Sequence, residues 1–246
     1  MEHIDRRRGF AAPLDPSGRH ALYGPPPWYF EGYALALFVR FDPERVEGFI
    51  PAPLKLHGDP VCRLCINDII CDYGLGREYP QLNPDLAHFH EAVVAFMVES
   101  DDAVGQYCAY LWCTTDAELA VGREFYGWAQ KLGAMSLTRR PLTGWQTNDI
   151  VTGLVSRGNR AVYEIALRLE RHGDLPKQIE GVSVYPDQAA ASNHFTEIAL
   201  PQPTQKNAVQ RRLVSTRMLE TTVNDIWSGA ATAELYAPEV QFLKGA

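Results

Sequence analysis

Long apolar runs are scarce in this chain. The most apolar stretch, YALALFVRF (33–41), carries an arginine inside it. It is also too short to cross a bilayer, which takes about 20 apolar residues in a helix. No secretory leader is visible, so a cytoplasmic location is expected and membrane association is not. Cysteine is sparse as well. The five residues Cys62, Cys65, Cys71, Cys108 and Cys113 are an odd number, which rules out a complete disulfide framework within one chain and fits a reducing compartment. Positive charge is in deficit, with 23 Lys and Arg against 30 Asp and Glu and a formal net charge of -7. That balance argues against a nucleic-acid surface, since such proteins show a basic face. The one basic run, Arg6-Arg7-Arg8, reads as a solvated tail. The catalytic signatures G-x-S-x-G, the P-loop and G-x-G-x-x-G are all missing, which leaves hydrolase, NTPase and dinucleotide readings without a motif.

What is present is ordinary globular composition, 46% hydrophobic and 22% charged, over 246 residues, enough for a sizeable core. No internal repeat and no Gly/Ser linker divides it. Residues 1–27 end in Pro25-Pro26-Pro27 and read as an extended N-terminal arm, with a single domain over 28–246. Strands are predicted at 33–41, 61–70, 89–99, 106–113, 134–140, 149–156, 161–169, 195–200 and 211–222. Asp42-Pro43-Glu44 is a helix start, with an acceptor, a proline at the first helical position and an acid facing the dipole; that helix is expected to run to Ile50. GLG (74–76) reads as a turn, and 80–85, 171–178 and 202–207 as loops. Thr115-Asp116-Ala117-Glu118 fits a capping box, opening a helix that carries Leu119 and Val121 and ends near Gly127. Many short strands, few helices and no βαβ rhythm predict an α+β fold: a mostly antiparallel β-sheet or barrel with a few packed helices.

Among candidate sites, His88 and His90 would share a strand face but lack further ligands, and Glu91 points the other way. His194 has no spacing logic. Cys62-Arg63-Leu64-Cys65 lacks a second C-x-x-C, and on a strand its cysteines face opposite sides, so buried free thiols are expected. No metal and no other cofactor is expected. Tyr107, Tyr110 and Trp112 alternate oddly with Cys108; they could line a pocket or fill a core. The segment GREFYGWAQKLG (122–133) stands apart. A capped helix ends at glycine, then an aromatic and two polar residues enter an apolar strand. Neighbours on a strand point to opposite faces, so only one of Gln130 and Lys131 can face an enclosed pocket.

On these residues the sequence resembles the acetoacetate decarboxylase superfamily. The similar pieces, in order, are GPPPWYF, RFDPERVEGFIPAPL, YGLG, AVGREFYGWAQKLG and VNDIWSGAATAEL, the last matching the family's Trp-Thr-Gly element at Trp227-Ser228-Gly229. The resemblance implies the cone-like barrel and a homo-oligomer. It also implies, in decarboxylating members, an imine between a lysine of that turn and a β-keto acid. The family turn is Gly-aromatic-Pro-Lys-Lys-Leu, whereas here it is Gly127-Trp128-Ala129-Gln130-Lys131-Leu132. The imine lysine's place is therefore held by Gln130, and Lys131 matches the second lysine. The family's binding arginine falls near Gly32, beside Glu31. Its two pocket glutamates fall near Leu64 or Cys65, with Asp68 the nearest acid, and near Tyr79 or Pro80, with Glu78 nearby.

A glutamine forms no imine, but its amide can hold an oxygen. The expected function is an enzyme acting without a Schiff base on a carbonyl-containing, keto or polyketide-type small molecule. Cyclisation, isomerisation or dehydration in secondary metabolism would suit it, placing it among lyases or isomerase/cyclases. Gln130, Lys131, Glu124, Asp68 and Glu78 are the candidate catalytic residues. Arg123, Tyr126, Trp128, Tyr110 and Trp112 are the candidates for substrate binding. Two alternatives stand beside this: an imine-forming decarboxylase or aldolase-type lyase using Lys131, and a non-catalytic binding barrel.

Overall fold

In a computed structural model, the structure describes residues 22–24, 27–46, 48–99, 104–173, 178–179, 182–183, 194–199, 215–220 and 227–243. Most of the predicted arm, including Arg6-Arg7-Arg8, and the predicted loop at 202–207 lie outside them. So does the side chain of His194.

Two sheets carry the fold. The larger is built on β1 (Phe30–Arg40), β3 (Val61–Cys71), β4 (His88–Glu99) and β5 (Val104–Cys113), with β13 (His194–Ala199) and β14 (Ser215–Glu220) beyond. The short β2 (Lys55–Leu56) pairs with β4, and β6 (Gln130–Leu132) pairs with β5. The smaller sheet runs in the order β16 (Ala231–Leu235), β9 (Arg160–Arg168), β8 (Ile150–Arg157), β7 (Ala134–Leu137). Pairing is antiparallel except where β5 meets β6 and β13. Among the described residues the strands form open sheets and not one closed barrel.

The apolar sequence of β4 explains the layering. Ala92 through Phe96 are all buried, because both faces of the large sheet are covered. Leu64, Ile66, Val94, Phe96 and Trp112 pack against Val155, Tyr163 and Ile165 of the small sheet. The opposite face carries Cys65, Val93, Ala95, Cys108, Leu111 and Trp128. Cys62 and Cys65 accordingly face opposite sides, and all five cysteines are free and buried.

The odd spacing in β5 has a physical cause. The β4–β5 register runs Val94↔Tyr110 and then Ala95↔Cys108, so Ala109 is an extra, bulged residue. The bulge puts Tyr107, Tyr110 and Trp112 on the core face together, which strict alternation would forbid.

Several expectations about local structure need correction. The helix expected from Asp42 to Ile50 is a single 3-10 turn, Pro43–Val46, although Asp42 does cap it: its side chain accepts from the Glu44 N–H at 3.1 Å. The predicted loop at 80–85 contains two one-turn helices, Tyr79–Leu82 and Pro84–Ala87, each with proline in its first turn. Within the predicted loop at 171–178, β10 (Arg171–His172) pairs with β15 (Trp227–Ser228), and just after it β11 (Gln178–Ile179) pairs with β12 (Val182–Ser183). Next to β15, Gly229 crosses so close to the Arg168 carbonyl that no Cβ would fit. Tyr23 is fully buried, and Gly24 donates to the Tyr73 carbonyl at 2.8 Å, so the end of the predicted arm is packed against the body. No helix among the described residues is long and apolar enough to cross a membrane.

Candidate active site

The turn before β6 is assembled from its capping residue onward. The Thr115 hydroxyl accepts from the Glu118 N–H at 3.4 Å and starts the helix Asp116–Ala120. The Glu118 carboxylate accepts from the Tyr73 hydroxyl at 3.2 Å, inside the core. The helix then widens into a π-turn, Val121–Tyr126, a form that often marks functional segments. Gly127 ends it at φ 77°, a left-handed conformation that suits glycine. The Trp128 N–H bonds back to the Gly122 carbonyl at 2.8 Å. The chain is thereby turned so that Gln130 enters β6 alongside Leu111 of β5.

Gln130 is only 1% exposed. Its Nε2 donates to Oε1 of Glu91 on β4 at 3.3 Å. Oε2 of Glu91 accepts from Asn67 Nδ2 at 3.4 Å, and Asn67 Oδ1 accepts from the Cys65 thiol at 2.8 Å. A line of polar side chains thus crosses β3, β4 and β6 on one face. Gln130 Oε1 is buried with no hydrogen-bond partner among the described residues, and it rests against Gly122, where any Cβ would overlap it. Rotating the amide by half a turn would set that oxygen against the Glu91 carboxylate, so Glu91 fixes its orientation. Burial, with an added push from Glu91, raises the Cys65 thiol to about 11, against the pull of Arg63. Burial first, then Glu118 and Glu91, raise Cys113 as well. Both thiols are therefore protonated at neutral pH and poor nucleophiles.

Residues 11–243 match the family described as acetoacetate decarboxylase (ADC). The chain belongs to the acetoacetate decarboxylase family. Solved structures agree on the fold. An acetoacetate decarboxylase-like enzyme from Sphingomonas wittichii RW1 is 21% identical, with a TM-score of 0.71 over 95% of this chain and 89% of its own. The enduracididine biosynthesis enzyme MppR, complexed with pyruvate, is 19% identical with a TM-score of 0.71, covering 95% and 86%. The acetoacetate decarboxylase of Legionella pneumophila subsp. pneumophila str. Philadelphia 1 is 18% identical with a TM-score of 0.64, covering 93% and 80%. No curated protein matches the sequence at a significant level.

Of the polar residues that the family resemblance singled out, Gln130 lies on one face of the large sheet and Lys131 and Asp68 lie on the other. Lys131 pairs with Trp112 across β5 and β6, and its Nζ lies 5.6 Å from the centre of the Tyr110 ring. Tyr110 and Trp112 stack at 6.0 Å in the core between the sheets, with Trp112 fully buried. The parity expected for Gln130 and Lys131 is what the strand adopts. Asp68 lies across from His90, at 3.9 Å from its Nε2, at register positions that alternate away from Asn67 and Glu91. Glu78 is exposed and precedes a one-turn helix without capping it. Arg123 and Glu124 are exposed on the π-turn. Trp128 is buried beside Cys65 and Val93, and Tyr126 stacks on it at 4.7 Å. His88 is exposed, and no three metal-ligating side chains gather among the described residues.

At Gly32, where the family's arginine falls, φ is 153° and a Cβ would overlap the Asp68 carbonyl, so the β1–β3 pairing admits no side chain there. Glu91, Asn67 and Cys65 were not singled out by sequence reasoning as a site. One signal was available, a carboxylate directly preceding the apolar run Ala92–Phe96.

Proposed function

We propose that this family member is an enzyme acting on a carbonyl-containing small molecule without forming a Schiff base. One observation carries the reading: the strand position that would hold the imine-forming amine carries Gln130, while the neighbouring amine of Lys131 lies on the opposite face. An amide nitrogen is not nucleophilic at neutral pH, but it donates two hydrogen bonds. One is used by Glu91, and the other can hold a substrate oxygen as negative charge develops on it. Isomerisation, cyclisation or dehydration of a keto compound needs only such an oxygen site and a proton-transferring group, with the substrate held in place.

The likeness to MppR, which has been seen with pyruvate and with the condensation product of pyruvate and imidazole 4-carboxaldehyde, supports a keto-type substrate class. Self-association into a homo-oligomer is part of the same proposal and is read by light scattering.

The test is turnover of a panel of keto acids and ketones. This reading expects a rate above the uncatalysed one that falls in Gln130→Ala and persists after borohydride is added with substrate. Irreversible inactivation by borohydride in the presence of substrate would favour an imine on Lys131 instead. Absence of turnover across the panel would favour a binding protein.

A further inference from the structure

We propose that the outer face of the small sheet is the surface on which a second copy of this chain docks, about a two-fold axis at Ala166. The surface serves the self-association put forward above, on which it rests, and is independent of the carbonyl chemistry. Among the described residues this sheet is covered on one side only. Leu137, Val155 and Ile165 turn inward to the core. The residues that alternate with them turn outward, and cross-strand register sorts them into rows. The middle row is Thr152, Ala166 and Thr232, all small. On one side of it lies the row Leu154, Glu164 and Glu234. On the other side Ile150 stands opposite Arg168. Arg168 and Thr152 are exposed and Ile150 is 51% exposed, so the face is open.

These rows complement themselves. Sheets packed face to face keep their strands nearly aligned, about 10 Å apart. A two-fold axis lying in the interface, across the strands at the middle row, sets each flanking row against the opposite flanking row of the other copy. Leu154 then meets Ile150 of the second copy, and Glu164 meets Arg168 of the second copy. Each contact is made twice, around a centre of small side chains that lets the sheets approach. Charge points to the same partner. Glu164 and Glu234 stand directly opposite each other on β9 and β16, and like charges so placed destabilise a sheet. Tyr236 donates to Glu234 at 2.6 Å, but no ion pair among the described residues reaches either carboxylate. Arg168 likewise has no acidic partner among the described residues. In the two-fold pair, the arginine of one copy lies against the two glutamates of the other.

The experiment is sedimentation equilibrium and light scattering of the full chain over a concentration series. It compares the wild type with Glu164→Arg, Arg168→Glu and the double swap that carries both changes. Both side chains lie outside the core, and circular dichroism checks the fold of each variant. The expected result is an associating wild type and a dissociation constant raised about tenfold or more in each single variant, where like charges meet across the axis. The swap restores the pair in reverse, so association recovers. A wild type that stays monomeric at every concentration would overturn the surface together with the self-association, while turnover decides the carbonyl reading separately. Association unchanged in folded single variants would overturn the surface alone. Single variants that dissociate without recovery in the swap would overturn the pairing of Glu164 with Arg168.

Discussion

Gln130 and Lys131 are neighbours in sequence, yet one donates to Glu91 at 3.3 Å and the other lies 5.6 Å from the Tyr110 ring, on opposite faces of the large sheet. The separation follows from strand geometry alone, since side chains alternate along an extended backbone. Bringing Lys131 to Glu91 would require β6 to slip by one residue against β5. That slip would also move the buried Gln130 toward the other face.

Gln130→Lys should therefore return an amine to the face that has lost one. The new ammonium would lie against Glu91. The expected outcome is a borohydride-trapped mass adduct with acetoacetate, located at residue 130 by peptide mapping. Failure of a folded Gln130→Lys to trap any keto compound would show that this face does not admit the substrate.

Gly122 should be intolerant of even one methyl group. A Cβ there overlaps Gln130 Oε1, and the π-turn carbonyl of Gly122 is tied to the Trp128 N–H. Gly122→Ala should cost about 1 to 3 kcal/mol, the range seen for overpacking a filled interior. The Gln130→Ala change should relieve part of that cost. A double-mutant cycle by urea unfolding reads the coupling, and purely additive effects would argue against the contact.

Cys65 should make the fold sensitive to alkali. Its folded value is raised to about 11 from the ordinary 9.0, by burial first and by Glu91 after that. The unfolded chain loses this proton near its ordinary value while the folded protein keeps it. The contribution is thus full below about pH 9 and is lost as pH rises toward about 11, on the order of 2 kcal/mol across the window. Cys65→Ala should flatten that part of the stability profile. Urea midpoints measured across the window for both proteins check it, and equal slopes would contradict it.

Much of this architecture was legible beforehand. β3, β4 and β5 were expected nearly where they lie, because apolar and branched residues fill them and turns bound them. The parity of Gln130 and Lys131, the Thr115 cap and the opposed cysteines of the C-x-x-C all follow from local periodicity. The site itself was not, since Glu91 meets Gln130 only because β4 pairs with β5 and β5 pairs in parallel with β6. No short-range pattern reports a contact between residues that far apart in sequence. The bulge at Ala109 was visible only as an irregular run of aromatics. The one-turn helices after Gly76 are too short to leave a periodic signal, and their prolines read equally well as loop.

The central claim is that carbonyl chemistry here proceeds without a covalent amine. The most direct measurement is the intact mass of the protein after incubation with pyruvate or acetoacetate and reduction with borohydride, beside a Lys131→Ala variant. The account predicts unmodified mass for both proteins. A stable adduct on the wild type that disappears in Lys131→Ala would contradict it and make Lys131 the nucleophile.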